Sequence, residues 1–132
     1  MGTTLFNLLV ARRSLAYYLR QRGIYADPRS VTETMLDHYY IVSHQPGARW
    51  APAAFVSAYL NRDVSQELVS LPNPVHLVWG RRAGLTPVER AEPFLALRPD
   101  ISLDVFDAAG LLVPDEQPSA FAALVRRVFH AT

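Results

Sequence analysis

The sequence predicts an α/β fold, with a helical N-terminal part to about residue 70 and a β-α-β-α tail over 71–132. Three observations predict it. Before residue 71 the apolar residues recur at helical spacing; residues 74–80 (PVHLVWG) form a short apolar run between proline and glycine. The last helix carries Phe121, Leu124, Val125, Val128 and Phe129 on one stripe.

Leu5, Leu8, Leu9, Leu15, Tyr18 and Leu19 fall largely on one face of a first helix, which Gly23 is placed to end. Ser30-Val31-Thr32-Glu33 reads as a capping box, with Ser30 taking the Glu33 amide and Glu33 returning to that of Ser30. Met35, Tyr39 and Val42 continue that second helix. After the turn-forming His44-Gln45-Pro46-Gly47, a third helix is expected from about Trp50 to Leu60 through Phe55 and Tyr59, and a short fourth after Asn61. Arg12, Arg13, Arg20 and Arg22 read as a solvated edge, since the apolar face beside them is ordinary.

The run at 74–80 suits a strand buried on both faces of a parallel sheet. Thr86-Pro87-Val88-Glu89 combines an N-cap, a first-turn proline and a capping-box glutamate, so a helix is expected from there to about Leu97. Residues 101–106 (ISLDVF) form a second strand, and the last helix follows Pro118. Such a unit can be parallel because its helix carries the chain back over the sheet. Two short strands leave open edges of unpaired backbone groups, so something else is expected to complete the sheet.

A chain of 132 residues fits one domain. Its thirteen basic residues, all arginine, face twelve acids, which gives no field for nucleic acid. Without cysteine there is no disulfide framework, catalytic thiol or thiolate metal site. The N-terminus places its arginines after the apolar stretch, unlike a signal peptide, and no run reaches membrane-spanning length. A cytoplasmic location is expected.

Taken together, PVHLVWG with Leu85-Thr86-Pro87, then Ala109-Gly110, Asp115-Glu116-Gln117-Pro118 and Phe121, resembles the C-terminal end of an α/β-hydrolase. The resemblance covers about sixty residues, from Leu71 to Phe129. It implies that residues 1–70 are the helical cap that the family inserts, and that 71–132 are the last two strands of its sheet with their helices. The family's mechanism needs a serine on a G-x-S-x-G elbow, an acid and a histidine. The resemblance puts Ala83 at the acid position and Leu111 at the histidine position, and no G-x-S-x-G occurs in the chain. No catalytic residue, metal ligand or cofactor is therefore assigned. The other features of the loop have structural roles: Gly110 for a tight or left-handed turn, Asp115 and Glu116 for the next helix's dipole, Pro118 for its first turn.

Of the histidines, His76 lies within a strand and reads as a core residue. His38 and His44 are too far apart for a zinc helix, and His130 is near the end of the chain. Asp104 and Asp107 flank the last strand's outlet as candidate carboxylates with no base expected near them, Asp107 reading better as a turn former.

Three functions compete. The first is a partial, degenerate hydrolase, not catalytic alone, whose nucleophile-bearing N-terminal half is missing. The second is a module for an apolar ligand or a protein partner, with a pocket lined by Trp50, Phe55, Tyr59, Trp79 and Leu111, and with Tyr17, Tyr18, Tyr39 and Tyr40 as further cap aromatics. The third is the cap-bearing half of a hydrolase completed by another chain. A homodimer through the open sheet edge is the alternative assembly. Whether Met1 is the native start is left open by the resemblance, since the family's cap begins there.

Overall fold

The computed structural model describes residues 2–57 and 62–130. The N-terminal part is helical: α1 (Gly2–Leu9), α2 (Arg12–Gln21), α3 (Glu33–Ser43), α4 (Trp50–Val56) and α5 (Ser65–Ser70). The tail runs β1 (His76–Gly80), α6 (Glu92–Leu97), β2 (Ser102–Phe106), α7 (Val113–Glu116) and α8 (Pro118–His130). The strands pair in parallel, His76 opposite Ser102 and Gly80 opposite Phe106. This is the expected β-α-β-α order, with α7 added.

The local corrections have local causes. The single first helix is two, because Val10 and Ala11 break it and the Ser14 hydroxyl takes the Leu8 carbonyl at 2.7 Å. Gly23 does end α2, with φ +68°, a left-handed conformation that side chains resist. Ser30 does not cap α3. Residues Pro28–Ser30 form a 3-10 turn capped by Asp27, which accepts the Arg29 amide at 2.9 Å, and the Ser30 hydroxyl donates to the Asp27 carbonyl. The cap passes to Thr32, which accepts the Met35 amide at 3.2 Å. Glu33 turns instead to Arg12 at 2.6 Å and Arg20 at 2.9 Å. Those arginines are thus not a merely solvated edge; with Asp37 on Arg12 at 2.7 Å they fasten α2 to α3.

Thr86 makes no cap either. A 3-10 turn at Val88–Ala91 precedes α6, which starts at Glu92 with Pro93 in its first turn, and the Thr86 carbonyl accepts the Trp79 indole N–H at 2.7 Å. The strands are less covered than expected: His76, Leu77, Val78 and Trp79 are half-buried and Gly80 alone in β1 is buried. Two strands that pair along one edge leave the other edges and faces partly open.

The main core lies between α2, α3 and the loop after β2. Leu19, Tyr25, Val31 and Leu36 are its buried members, packed by Leu15, Ala16, Ile24, Met35, Tyr39 and Leu112. Each buried aliphatic side chain contributes about 1.5–3 kcal/mol of transfer free energy. In α8 the expected stripe buries Leu124, half-buries Phe121, Val125 and Val128, and leaves Phe129 exposed. Among the described residues no helix is long and apolar enough to cross a membrane.

Candidate functional site at the strand ends

Parallel strands deliver their following loops to one edge of the sheet. Beyond the last residues of β1 and β2 the backbone ladder continues, with Arg81 N–H on the Phe106 carbonyl at 3.0 Å and Arg82 N–H on that of Ala109 at 2.9 Å. The two loops are thereby zipped together. Gly80 permits this, because a Cβ there would collide with the Gly110 and Ala109 carbonyls.

A third segment closes the arrangement, the connector between α2 and α3. Gly84 N–H donates to the Gly23 carbonyl at 3.2 Å, and Leu111 N–H donates to that of Ile24 at 2.8 Å. Glu116 secures the same seam, its Oε1 accepting Gly110 N–H and its Oε2 accepting Ala26 N–H, both at 2.6 Å. Gly110 is therefore required for close approach to Ile24 and Ala26 and not for a left-handed turn. Asp115 receives the Tyr25 hydroxyl, and Tyr39 lies 3.4 Å from that hydroxyl. Burial first, and then the hydrogen bond to Asp115, push the Tyr25 phenol well above its usual range. Asp115 and Glu116 thus serve side-chain and backbone partners across the seam, beyond any dipole effect on α8.

Inside the seam lies a cavity of about 270 Å³ lined by Val78, Trp79, Gly80, Ala83, Thr86, Gly110 and Leu111. Ala83 is buried and Leu111 is 38% exposed. The cavity wall holds no titratable side chain, so it offers shape and apolar surface and no proton carrier. Trp50 stands apart, 65% exposed beneath the Arg49 guanidinium at 4.8 Å. The Phe55 side chain and Tyr59 fall outside the described residues. Tyr17, Tyr18 and Tyr40 are exposed, and Tyr39 packs on the main core.

Two solved structures share this architecture. Cfl2 from Burkholderia cenocepacia matches 96% of this chain with a TM-score of 0.75 at 24% identity. A serine hydrolase, CCSP0084 from Cycloclasticus zankles, matches 91% with a TM-score of 0.74 at 19% identity. The fold is hydrolase-like. This chain spans 43% and 45% of the lengths of those two proteins, so the hydrolase-like fold here corresponds to under half of each. No protein-family model matches the chain, and no curated protein does.

The sequence reading missed a polar cluster at the other end of the sheet. His76 and Ser102 open their strands as register partners, and side-chain alternation puts Asp104 on the same face. His76 Nε2 is 2.7 Å from Asp104 Oδ2, the Ser102 hydroxyl meets His76 Nδ1, and Arg127 reaches both Asp104 oxygens at 3.1 and 2.9 Å. His76 is thus a half-buried, fully engaged histidine, and Asp104 does have a base beside it. Asp107 pairs with Arg81. His44 Nδ1 lies 2.8 Å from the Tyr40 carbonyl, and among the described residues no group of three or more ligands could hold a metal ion.

Proposed function

We propose that this chain is the helical cap, residues 1–70, and the last two strands, residues 71–132, of an α/β-hydrolase-type fold whose catalytic positions have been lost. The observation that carries the reading is that Ala83 and Leu111 line one cavity beyond the C-terminal ends of β1 and β2. In such a fold that edge is where an acid and a histidine act on a serine. An alanine stabilises no imidazolium and a leucine accepts no proton. With no G-x-S-x-G in the sequence, the chain has no nucleophile elbow to serve.

The structures it matches are more than twice as long, and β1 has a strand on one side only among the described residues. Both support a polypeptide that supplies the nucleophile-bearing half, either as a longer chain or as a second one; a second copy of this chain on the same edge is the alternative assembly. The test is a native pull-down through a tag after Thr132, with intact masses of everything retained. A longer product or a G-x-S-x-G polypeptide is expected. Turnover of p-nitrophenyl esters by the isolated chain that survives Ser102→Ala and is blocked by a serine reagent would overturn the reading.

The mostly apolar cavity wall favours a second reading, a small apolar ligand held against Trp79 and Leu111. Thermal shifts with small aromatic and aliphatic probes, reduced in Leu111→Asp, are its expected signature. A flat response across that panel would rule it out.

A further inference from the structure

The cluster at the N-terminal ends of β1 and β2 shares no residue with the cavity of Ala83 and Leu111. Its hydrogen bonds define a protonation pattern. An ionised carboxylate only accepts, so the His76 proton sits on Nε2 toward Asp104. In the neutral imidazole Nδ1 then carries the lone pair and can accept the Ser102 hydroxyl. A serine O–H directed at an imidazole lone pair, with the imidazole fixed by a carboxylate, is the arrangement that raises serine nucleophilicity. Burial opposes ionisation of Asp104, but the hydrogen bonds from His76 and Arg127 outweigh it and hold the carboxyl below its usual range.

Ser102 is exposed and opens on a cavity of about 400 Å³ whose wall includes Pro74, Val75, His76 and Arg127. Asp100 on the same wall is turned toward Arg98, at 2.9 Å from its Nε.

We propose that Ser102 is an activated nucleophile that takes up an acyl or phosphonyl group from an activated ester-type electrophile, with His76 as its base and Asp104 as the positioning residue. With a fluorophosphonate, Ser102 Oγ forms the bond to phosphorus and fluoride leaves with the electron pair. The hydroxyl proton passes to His76 Nδ1, giving an imidazolium held by Asp104. The Ser102 N–H is already committed to the Val75 carbonyl at 3.2 Å, so this serine does not supply its own amide to a developing oxyanion. The reaction proposed ends at the adduct, so the site is one of stoichiometric modification, and its labelling is read separately from any ester turnover.

The test is incubation of the full chain with a biotinylated fluorophosphonate, followed by peptide mapping of the adduct. Labelling is expected at Ser102 in the folded protein, absent in Ser102→Ala and slowed by roughly 10²-fold in His76→Gln, the lower end of what a positioned base supplies. Asp104→Asn, whose amide can turn its NH₂ toward the ring and move the ring proton to Nδ1, is expected to slow it as well. The unfolded wild-type chain in urea controls for variants that fail to fold, since its serines lack the base. No adduct at Ser102, or an adduct formed equally fast in urea, would overturn the proposal.

Discussion

Leu111 and Ile24 are joined backbone to backbone, the N–H of one donating to the carbonyl of the other at 2.8 Å. That bond places the loop after β2 against the connector between α2 and α3, and Glu116 braces it from both sides. Glu116→Gln keeps one acceptor oxygen but turns an NH₂ toward either Gly110 or Ala26, leaving one donor facing another. A loss of about 1–3 kcal/mol is expected in urea unfolding, the range for a charged hydrogen bond lost to an unsatisfied donor. An unchanged midpoint would mean that the carboxylate is not part of the seam.

Gly23 carries two separable requirements. Its φ of +68° costs a side chain about 1–2 kcal/mol, and a Cβ there would stand 2.5 Å from the Gly84 nitrogen. Gly47, at φ +84°, has only the Trp50 ring near its Cβ position, at 3.9 Å. Gly23→Ala is therefore expected to lower the melting temperature clearly more than Gly47→Ala. Equal shifts would remove the steric part of the argument.

Ala83 and Leu111 line one cavity, so an acid and a base installed there should sense each other. Ala83→Asp alone puts a carboxylate at a site 5% exposed and should destabilise, whereas Leu111→His alone should cost little. The double variant is expected to recover part of the loss, with a coupling energy of about 1 kcal/mol in a double-mutant cycle. Strict additivity would separate the two positions. No ester turnover is expected from the double variant by itself, because the sequence has no G-x-S-x-G.

Asp104 sets an acid limit. Its folded-state titration lies below its ordinary value, so the stability it contributes is complete above the unfolded value of about 4 and fades as pH falls through the folded one. Arg127→Ala removes one of the two partners that hold it down. The variant should be less stable than wild type in urea unfolding at neutral pH, and that difference should shrink as the pH falls and Asp104 is protonated, with its acid transition by circular dichroism at a higher pH than wild type's. Coincident acid transitions would show that Arg127 does not govern this carboxylate.

Much of the fold was legible from periodicity. The alternation of β2 and the stripe of α8 repeat at the period of the element they form, the short apolar run of β1 is marked by its length and its flanking proline and glycine, and Gly23 and Pro118 mark ends by backbone chemistry that depends on few neighbours. What was misread depended on competition. Ser30 and Thr32 are both good caps, and Asp27-Pro28 decided between them by folding its own turn. Leu8 and Leu15 fit one helical face although two residues between them break the helix. Ala83 and Leu111, which line the cavity, could be named only through the resemblance to the hydrolase C-terminal end. The cluster of His76, Ser102 and Asp104 could not, since it exists only once β1 and β2 are paired in one register, and a slip of one residue would turn Ser102 to the opposite face.

The seam that holds the two loops is written mainly in main-chain atoms: Gly84 to Gly23, Leu111 to Ile24, Arg82 to Ala109. Side chains at 82, 83 and 111 can change without touching those bonds. A pocket framed this way can exchange its chemistry while keeping its shape, so the identity of side chain 111 need not decide the fold, and the same frame is a ready host for a redesigned binding wall.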